Sequence, residues 1–489
     1  MERSDRLPVL AWVVAGVFVA GELALSGRYG FLSDELYFVQ AGRHLAFGYV
    51  DMPPLAPLVT RVTDLVGLSP TAIRVVPALA GGAVVLITAR IAALFGARRF
   101  GRVLAALAAA CAPLVFALAH LGITEVYDLL AWAAVLLFVT TALLRDRPRM
   151  WLAAGVAAGI GLQANNLMAL LLLGLAAGLL LTRRPVLRTG WPWLGAGVAA
   201  VIWAPNVVWQ ATHGWPQVTM ATRLHQINSG SFAHVFGVLD QLAYAGLLVI
   251  PVLVAGFVLL WRTPELRFLA VAATLLVVFV LVWVPGKGYY SEGMAPAVLA
   301  AGSLAVERWV CRGRRPALRR GLAVAAPLLS MAVSLPSTLP VVPVGDLHEV
   351  RNLDRVTTAD TVGWPQFVHA VAAEDASLTE AGRPATSIFT ANYGQAAALD
   401  VLGDGLRLPP VLSGHDTYSL WGPGHASDRT VLAVGTLGPL RPYFGECRRL
   451  TTYRAPDHVP NDYFPVPIGV CTHPRGDWRT LWPHLIHYD

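Results

Sequence analysis

Apolar stretches long enough to cross a lipid bilayer recur along residues 1–342, and they constrain the fold more than any other feature of the chain. A helix needs about 17–25 such residues to span the hydrocarbon core of a membrane. Only 14% of the 489 residues are charged, whereas a soluble domain carries about 25%. The sequence therefore predicts an α-helical polytopic membrane protein rather than a soluble one.

Eleven spans are predicted in this part of the chain. The fifth and sixth are short and closely spaced, so residues 150–182 form either two full spans or a helical hairpin with a partly re-entrant segment. Residues 1–26 also have the basic start and apolar run of a signal peptide, although the run is long for one. The predicted spans are 7–26, 72–95, 102–119, 126–144, 150–164, 167–182, 191–209, 236–261, 268–284, 292–307 and 321–342.

Arginine-rich segments precede the first span and then follow every second span. Under the positive-inside rule such segments face the cytoplasm, so the N-terminus is predicted to be cytoplasmic. An odd number of spans then places the hydrophilic tail, residues 343–489, outside the plasma membrane. This topology accounts for the net charge of +7 without nucleic-acid binding. The arginine-rich segments are 3–6, 98–102, 145–149, 183–188, 262–267 and 308–320.

The tail has the pattern of a small α/β domain. Residues 386–390 and 430–434 are rich in β-branched residues and are predicted strands, and residues 395–402 are a predicted helix. Cys447 and Cys471 both lie in this tail. Because its predicted compartment is oxidising, we expect the two cysteines to form a disulfide.

The first outer connection, residues 27–71, is long and rich in polar residues. Residues 34–46 mix apolar and polar faces at helical spacing and predict a short amphipathic helix on the membrane surface. A turn at 51–54 leads into a second predicted interfacial helix at 54–66. The tail and the outer connections thus define two domains, 1–342 and 343–489, and place the chemistry at the outer surface.

Asp34 and Glu35 are adjacent carboxylates in this first connection, and two interpretations are open. As a helix start, Ser33 would cap the helix and the two acids would complement its dipole. As a catalytic pair, one acid would be a general base aimed into a cavity. Neighbours on a helix point about 100° apart, so only one can face the acceptor. We take Asp34 as the base and Glu35 as the group that orients a partner.

Glu125 and Asp128 are one helical turn apart and share a face at the start of the fourth span. They either cap that helix or form a second acidic wall of the same cavity. With Asp34 they could also bind a divalent cation through oxygen ligands, but no spacing in the sequence is diagnostic of such a site. No other cofactor is predicted.

Lys287 is the only lysine among 37 lysines and arginines. Nucleotide bias explains the excess of arginine but not this exception. With Tyr289 and Tyr290 it is either an interfacial anchor or a cation that neutralises a lipid phosphate. His213 has the position of an interfacial histidine and is retained as a candidate substrate contact.

Five segments, taken together and in this order, resemble a bacterial branch of the GT-C glycosyltransferases. This superfamily includes the protein O-mannosyltransferases and the lipid A aminoarabinose transferase, and the resemblance covers nearly the whole chain. The segments are Asp34-Glu35 in a long first outer loop, Gly48 to Leu55 ending Asp-x-Pro-Pro-Leu, Pro205 to Pro216, Lys287 to Tyr290, and Gly414 to Gly424.

The resemblance implies inverting transfer of a hexosyl or pentosyl group from a polyprenyl phosphate, on the outer face, to a hydroxyl of a glycan, lipid or protein. It also implies that Asp34 is the catalytic base. Relatives often carry a lysine in a Gly-Leu-x-x-Lys-like segment, where this chain has Asn165. Phosphate contacts would then fall to Lys287 and to outer arginines, namely Arg43, Arg74 and Arg223.

Two other classes of function are compatible with the pattern. A transporter or flippase would build its site near mid-membrane from broken helices and inverted repeats, and a cell-envelope assembly protein would need no site. Convergence of Asp34, Asp128 and Lys287 on one outward-facing cavity would distinguish the enzyme from both.

Overall fold

The computed structural model describes residues 6–227, 246–283, 293–350, 357–423 and 429–488. Up to residue 338 the described ranges are almost entirely helical, in agreement with the apolar periodicity. Helices α1 to α15 are Val9–Leu25, Ser33–Arg43, Leu55–Val66, Pro70–Leu94, Arg99–Ala110, Pro113–His120, Thr124–Leu144, Met150–Leu162, Met168–Thr182, Trp191–Thr212, Pro216–Ile227, Ile250–Arg262, Arg267–Trp283, Ala295–Cys311 and Pro316–Thr338.

Five described stretches are long and apolar enough to cross a membrane, namely α4, α7, α10, α15 and Pro264–Val282, which includes α13. A sixth arises if α5 and α6, which meet at a 55° bend, form one span. Four shorter apolar helices, α1, α8, α9 and α12, lie within other predicted spans. The multi-pass membrane fold is therefore confirmed, and the total of eleven spans stays a prediction.

Residues 150–182 form two separate short helices rather than one continuous span. At about 1.5 Å per residue, neither α8 nor α9 matches a 30 Å hydrocarbon core. Helix α8 packs closely on α10 through Gly155 and Gly195, where a side chain on either glycine would collide with the backbone of the other helix. Small residues allow such close approach between membrane helices.

The predicted α/β tail is confirmed, with a sheet in the order β2-β1-β3-β5-β4. Strand β1 pairs in parallel with β2 and β3, and β5 pairs antiparallel with β3 and β4. Cys447 and Cys471 face each other across β4 and β5 and form the predicted disulfide. The strands are Ser387–Thr390, Val411–Ser413, Thr430–Val434, Phe444–Tyr453 and Val466–Pro474, and helices α16 to α20 are Leu347–Val350, Trp364–Glu380, Tyr393–Leu402, Leu437–Leu440 and Trp478–Leu481.

The first outer connection and the tail share one hydrophobic core. Leu36 and Val39 of α2 lie in the same buried cluster as Trp364 and Phe367 of α17. Helix α18 starts directly on the start of α2, since a side chain at Gly394 would come within 2.8 Å of Cβ of Ser33. The fold thus joins two segments that are more than 300 residues apart in the sequence, and the candidate site lies where they meet.

Candidate active site

Glu35 lies in the first turn of α2 and organises the start of that helix. Its side chain is 0% exposed. It accepts hydrogen bonds from the backbone N–H of Leu32 at 2.8 Å and of Gly122 at 2.9 Å. The expectation that Ser33 caps this helix is wrong, because the helix already includes Ser33 and the terminal N–H is bound by Glu35. Glu35 therefore orients partners in the protein, which agrees with a supporting role.

Arg74 on α4 completes this buried arrangement. Its Nε and Nη2 each donate to Glu35 at 2.8 Å, and the guanidinium also donates to the carbonyls of Ser26 and Gly30 at 2.8 and 2.7 Å. Arg74 is 1% exposed. The expected contact of Arg74 with a lipid phosphate is therefore corrected, since its donors are already used within the protein.

Asp34, the neighbouring acid, is partly exposed and points toward the tail. Oδ1 of Asp34 accepts hydrogen bonds from the hydroxyl of Tyr393 at 2.9 Å and of Ser33 at 3.3 Å. The oxygen of Ser33 also lies 2.7 Å from the hydroxyl of Tyr463, another tail residue. The two acids of the Asp34-Glu35 pair thus face different surroundings, as their angular separation on a helix requires.

Asp51 lies beside Asp34 and joins two of the sequence motifs. It accepts a hydrogen bond from the Tyr37 hydroxyl at 2.6 Å and from Thr417 Oγ1 at 3.2 Å. Thr417 belongs to the 414–424 segment of the tail, and its Oγ1 also accepts from the backbone N–H of Val50 at 3.0 Å. The Gly48 to Leu55 motif and the tail motif therefore meet at one point.

The end of α10 holds the same loop from the membrane side. Nδ2 of Asn206 donates to the Phe47 carbonyl at 3.0 Å, and Nε2 of Gln210 donates to the Tyr49 carbonyl at 3.1 Å. Gly48 lies between them, and a side chain there would come within 2.6 Å of the Trp209 ring. The Pro205 to Pro216 motif thus has a structural function in holding the loop that carries Asp51.

Aromatic rings line the tail side of these carboxylates. The rings of Tyr37 and Tyr393 are stacked with centroids 4.5 Å apart, and Tyr393 and His415 are stacked at 4.9 Å. Nδ1 of His415 accepts the backbone N–H of Tyr393 at 3.1 Å, while its Nε2 lies 3.5 Å from Oδ2 of Asp416. The site is therefore a layer of tyrosines and one histidine among three carboxylates.

Electrostatic coupling makes this region strongly acidic. Loss of solvent raises the pKa of Asp51, the hydrogen bond from Tyr37 lowers it, and the nearby charge of Asp34 raises it again. Burial first, and then the charges of Asp34, Asp51 and Asp416, raise the pKa of Tyr393 well above its ordinary value. Burial and Asp51 do the same to Tyr37. Both phenols therefore stay protonated and act as donors to carboxylates.

Arg43 and His213 are placed away from an open phosphate site. Arg43 pairs with Asp64 at 3.2 Å and with Asp404 at 3.6 Å, and its guanidinium is the main cause of the lowered pKa of Asp64. Its charge is therefore already compensated, which corrects the expected lipid contact. His213 is exposed, and its ring stacks on Trp209 at 4.0 Å beyond the end of α10.

Asp128 and Glu125 lie at the start of α7, close in sequence to Gly122, which bonds Glu35. Asp128 is 6% exposed, and Oε2 of Glu125 accepts from the Thr124 hydroxyl at 3.0 Å. Among the described ranges, no three His, Cys, Asp or Glu side chains are grouped to hold a metal ion. The structure therefore does not group Asp34 with these two acids as a cation site.

Asn165, which stands where relatives often have lysine, lies beside the start of α7. Its Nδ2 donates to the Thr124 hydroxyl at 3.4 Å, and its Oδ1 accepts the Leu167 backbone N–H at 3.1 Å. Arg223 lies exposed on α11. Lys287, Tyr289 and Tyr290 lie outside the described residues, so their convergence with Asp34 and Asp128 stays a prediction.

Several residues of the site were missed from sequence, namely Tyr393, Tyr463, Tyr37 and Asp51. Asp51 and Thr417 stood inside motifs that had been noticed, so those motifs were the available signal. Tyr393 and Tyr463 had none, because their role depends on contacts with residues 359 and 430 positions away.

Comparison with known proteins agrees with this arrangement. A family model described as dolichyl-phosphate-mannose-protein mannosyltransferase matches residues 51–209. No curated protein sequence matches the chain.

Three solved structures share the fold. ArnT from Cupriavidus metallidurans, bound to undecaprenyl phosphate, has a TM-score of 0.59 at 16% identity, covering 94% of this chain and 97% of its own. The arabinofuranosyltransferase AftD from Mycobacteria has 0.56 at 16% identity, covering 97% of this chain but 40% of AftD. The Archaeoglobus fulgidus oligosaccharyltransferase, tethered to an acceptor peptide, has 0.53 at 11% identity, covering 91% and 72%.

These relatives are transferases rather than transporters or assembly proteins, and they share the helical membrane domain over most of this chain. The shared fold and the family match over residues 51–209 assign the chain to the GT-C superfamily of membrane glycosyltransferases.

Proposed function

We propose that this protein transfers a hexosyl or pentosyl group from a polyprenyl phosphate to an acceptor hydroxyl, with inversion at the anomeric carbon. The observation that carries the proposal is Asp34: a partly exposed carboxylate on the first outer connection, held by Tyr393 of the tail. The donor class is supported by the family match and by the undecaprenyl phosphate bound to ArnT.

In the proposed reaction Asp34 takes the proton of the acceptor hydroxyl as that oxygen attacks the anomeric carbon. The bond between this carbon and the phosphate oxygen breaks, and the lipid phosphate leaves with the electron pair. Attack from the face opposite the leaving group inverts the configuration. Lys287 is proposed to stabilise the charge that develops on the departing phosphate.

The acidic surroundings of Asp34 favour the acceptor side of this reaction over the phosphate side. Asp51 and Asp416 are electrostatically coupled to the same tyrosine as Asp34. Carboxylates repel a phosphate but accept hydrogen bonds from hydroxyl groups. We therefore place the acceptor at Asp34 and the lipid phosphate nearer a cationic group such as Lys287. Whether the acceptor is a glycan, a lipid or a protein is left to the assay.

Orientation in the plasma membrane is part of the proposal. With the N-terminus in the cytoplasm, as the arginine pattern predicts, the first connection and the tail lie outside, where the donor lipid presents its sugar.

The test uses the purified full-length protein in lipid nanodiscs. We would supply a panel of radiolabelled undecaprenyl-phosphate hexoses and pentoses, with a cell-envelope extract as acceptor. The wild type should release label from one donor into the acceptor fraction, and Asp34→Asn should reduce the rate about 10²–10⁴-fold while donor binding is retained. Asn keeps the shape of Asp and removes the proton acceptor. Near wild-type transfer by Asp34→Asn would remove Asp34 as the base.

A further inference from the structure

The carboxylate proposed as the base is bonded to a residue from the opposite end of the chain. The Tyr393 hydroxyl donates to Oδ1 of Asp34 at 2.9 Å, across a sequence separation of 359 residues. Tyr393 is the first residue of α18 in the tail, whereas Asp34 lies in the first turn of α2.

Tyr393 is held on several sides by groups that the reaction does not use. Its ring is stacked between Tyr37 at 4.5 Å and His415 at 4.9 Å, and its backbone N–H is bound by His415. Asn392 caps the helix that begins at Tyr393, accepting the Gln395 N–H at 2.9 Å. The phenol therefore reaches Asp34 in a fixed direction.

We propose that Tyr393 is a positioning residue for Asp34, so that the tail is a part of the active site and not only its cover; this rests on the proposed function. The O–H groups of Tyr393 and Ser33 meet on one oxygen, Oδ1, and together fix the plane of the carboxylate. A hydrogen bond donated to a carboxylate also stabilises its ionised form.

The surroundings make such a donor necessary. Asp34 is coupled to the carboxylate of Asp51, whose pKa it raises, and to the phenols of Tyr393 and Tyr463. Repulsion between the two carboxylates favours rotation of Asp34 away from Asp51 or its protonation. The Tyr393 hydroxyl opposes both, because it binds the ionised carboxylate in one orientation.

Tyr393→Phe removes only the hydroxyl oxygen and keeps the stacked ring. Using the most active radiolabelled undecaprenyl-phosphate sugar of the panel, we expect kcat to fall roughly 10- to 100-fold with little change in KM for the donor. Because the base must be ionised, we also expect the pH below which activity declines to move upward.

Tyr418→Phe is the matched control. Its hydroxyl donates to Asp400 at 2.8 Å at the same contact between α2 and the tail, and not to Asp34. It should retain the wild-type pH profile, so any general loosening of the tail would appear in both variants.

The outcomes separate the two proposals. A lower kcat with an upward-shifted acidic limb in Tyr393→Phe alone supports positioning. Equal effects in the two phenylalanine variants, or an unchanged pH profile in Tyr393→Phe, would overturn it while an inactive Asp34→Asn still supports the base. An active Asp34→Asn would instead overturn the proposed function itself.

Discussion

Nη2 of Arg74 lies 2.8 Å from Oε2 of Glu35, in an ion pair whose side chains are 2% and 0% exposed. The pair connects α4 to the start of α2, and Glu35 extends the connection to the loop before α7 through Gly122. Three outer segments are thus held by one buried carboxylate, and Asp34 is the next residue to it. The stability of this pair and the position of the proposed base are therefore linked.

Glu35→Gln should strongly destabilise the protein. It leaves the Arg74 charge buried without its counterion, which typically costs about 3–5 kcal/mol. The free energy of unfolding in mixed micelles, obtained by denaturant titration, measures the loss.

Arg61→Gln provides the control for this prediction. Arg61 pairs with Asp64 at 3.0 Å, but its side chain is 35% exposed, and exposed pairs contribute about 0.2–1 kcal/mol. Equal losses in Arg61→Gln and Glu35→Gln would show that burial does not set the strength of the Glu35–Arg74 pair.

Asp400 should make the contact between α2 and the tail depend on pH. Burial raises its pKa to about 6, while the hydrogen bond from Tyr418 and the charge of Arg43 lower it. Gln40 of α2 also donates to its carboxylate, at 3.2 Å. Because the folded state binds the proton more tightly, the stabilisation by protonation is complete below about pH 4 and is lost as the pH rises through the folded value.

Asp400→Asn tests this linkage, since its amide oxygen can accept the same two hydrogen bonds but does not titrate. We expect wild type to gain stability relative to the variant when the pH is lowered from 7 to 5, as measured by thermal unfolding. Parallel curves for the two proteins over that range would contradict the prediction.

Removing the disulfide should weaken the tail. Cys447 and Cys471 are separated by 24 residues, and closing a loop of this size is worth roughly 3 kcal/mol in the chain-entropy model. The Cys447→Ser, Cys471→Ser double variant should therefore unfold more easily than wild type. Mass spectrometry of non-reduced wild-type peptides provides the check, and two free thiols there would refute the bond.

Features that depend on local periodicity could be predicted from sequence. The apolar runs gave the positions of most helices, and β-branched stretches gave β1 and β3. What the sequence left hidden are contacts between distant segments. Glu35 and Arg74 are 39 residues apart, and Asp34 and Tyr393 are 359 apart. A carboxylate's role depends on its partners, so the Asp34-Glu35 pair could be divided into base and organiser only once the fold was known.

The orientation of the chain in the membrane is open to a direct test. Reporter fusions after residue 147, in an arginine-rich connection, and after residue 350, in the tail, should lie on opposite sides of the membrane. Detection of both reporters on the same side would contradict the cytoplasmic N-terminus and external tail.

Lys287→Arg distinguishes a precise phosphate contact from a general cation, because it preserves the charge. An interfacial anchor should tolerate arginine, since this chain uses arginine at every other cationic position. A close contact between the ammonium and the lipid phosphate should not, because the larger guanidinium would displace the sugar. An error of about 1 Å at the reacting centre can reduce the rate about 10²-fold.

Lys287→Met should be worse than Lys287→Arg, because it also removes the charge that stabilises the leaving phosphate. Both variants would be assayed at saturating donor, with thermal unfolding measured separately to exclude misfolding. Arg223→Lys, the reverse exchange at an exposed residue of α11, is the control and should retain wild-type transfer. Full activity of Lys287→Met would remove Lys287 from the mechanism and leave the charge on the departing phosphate to another cation.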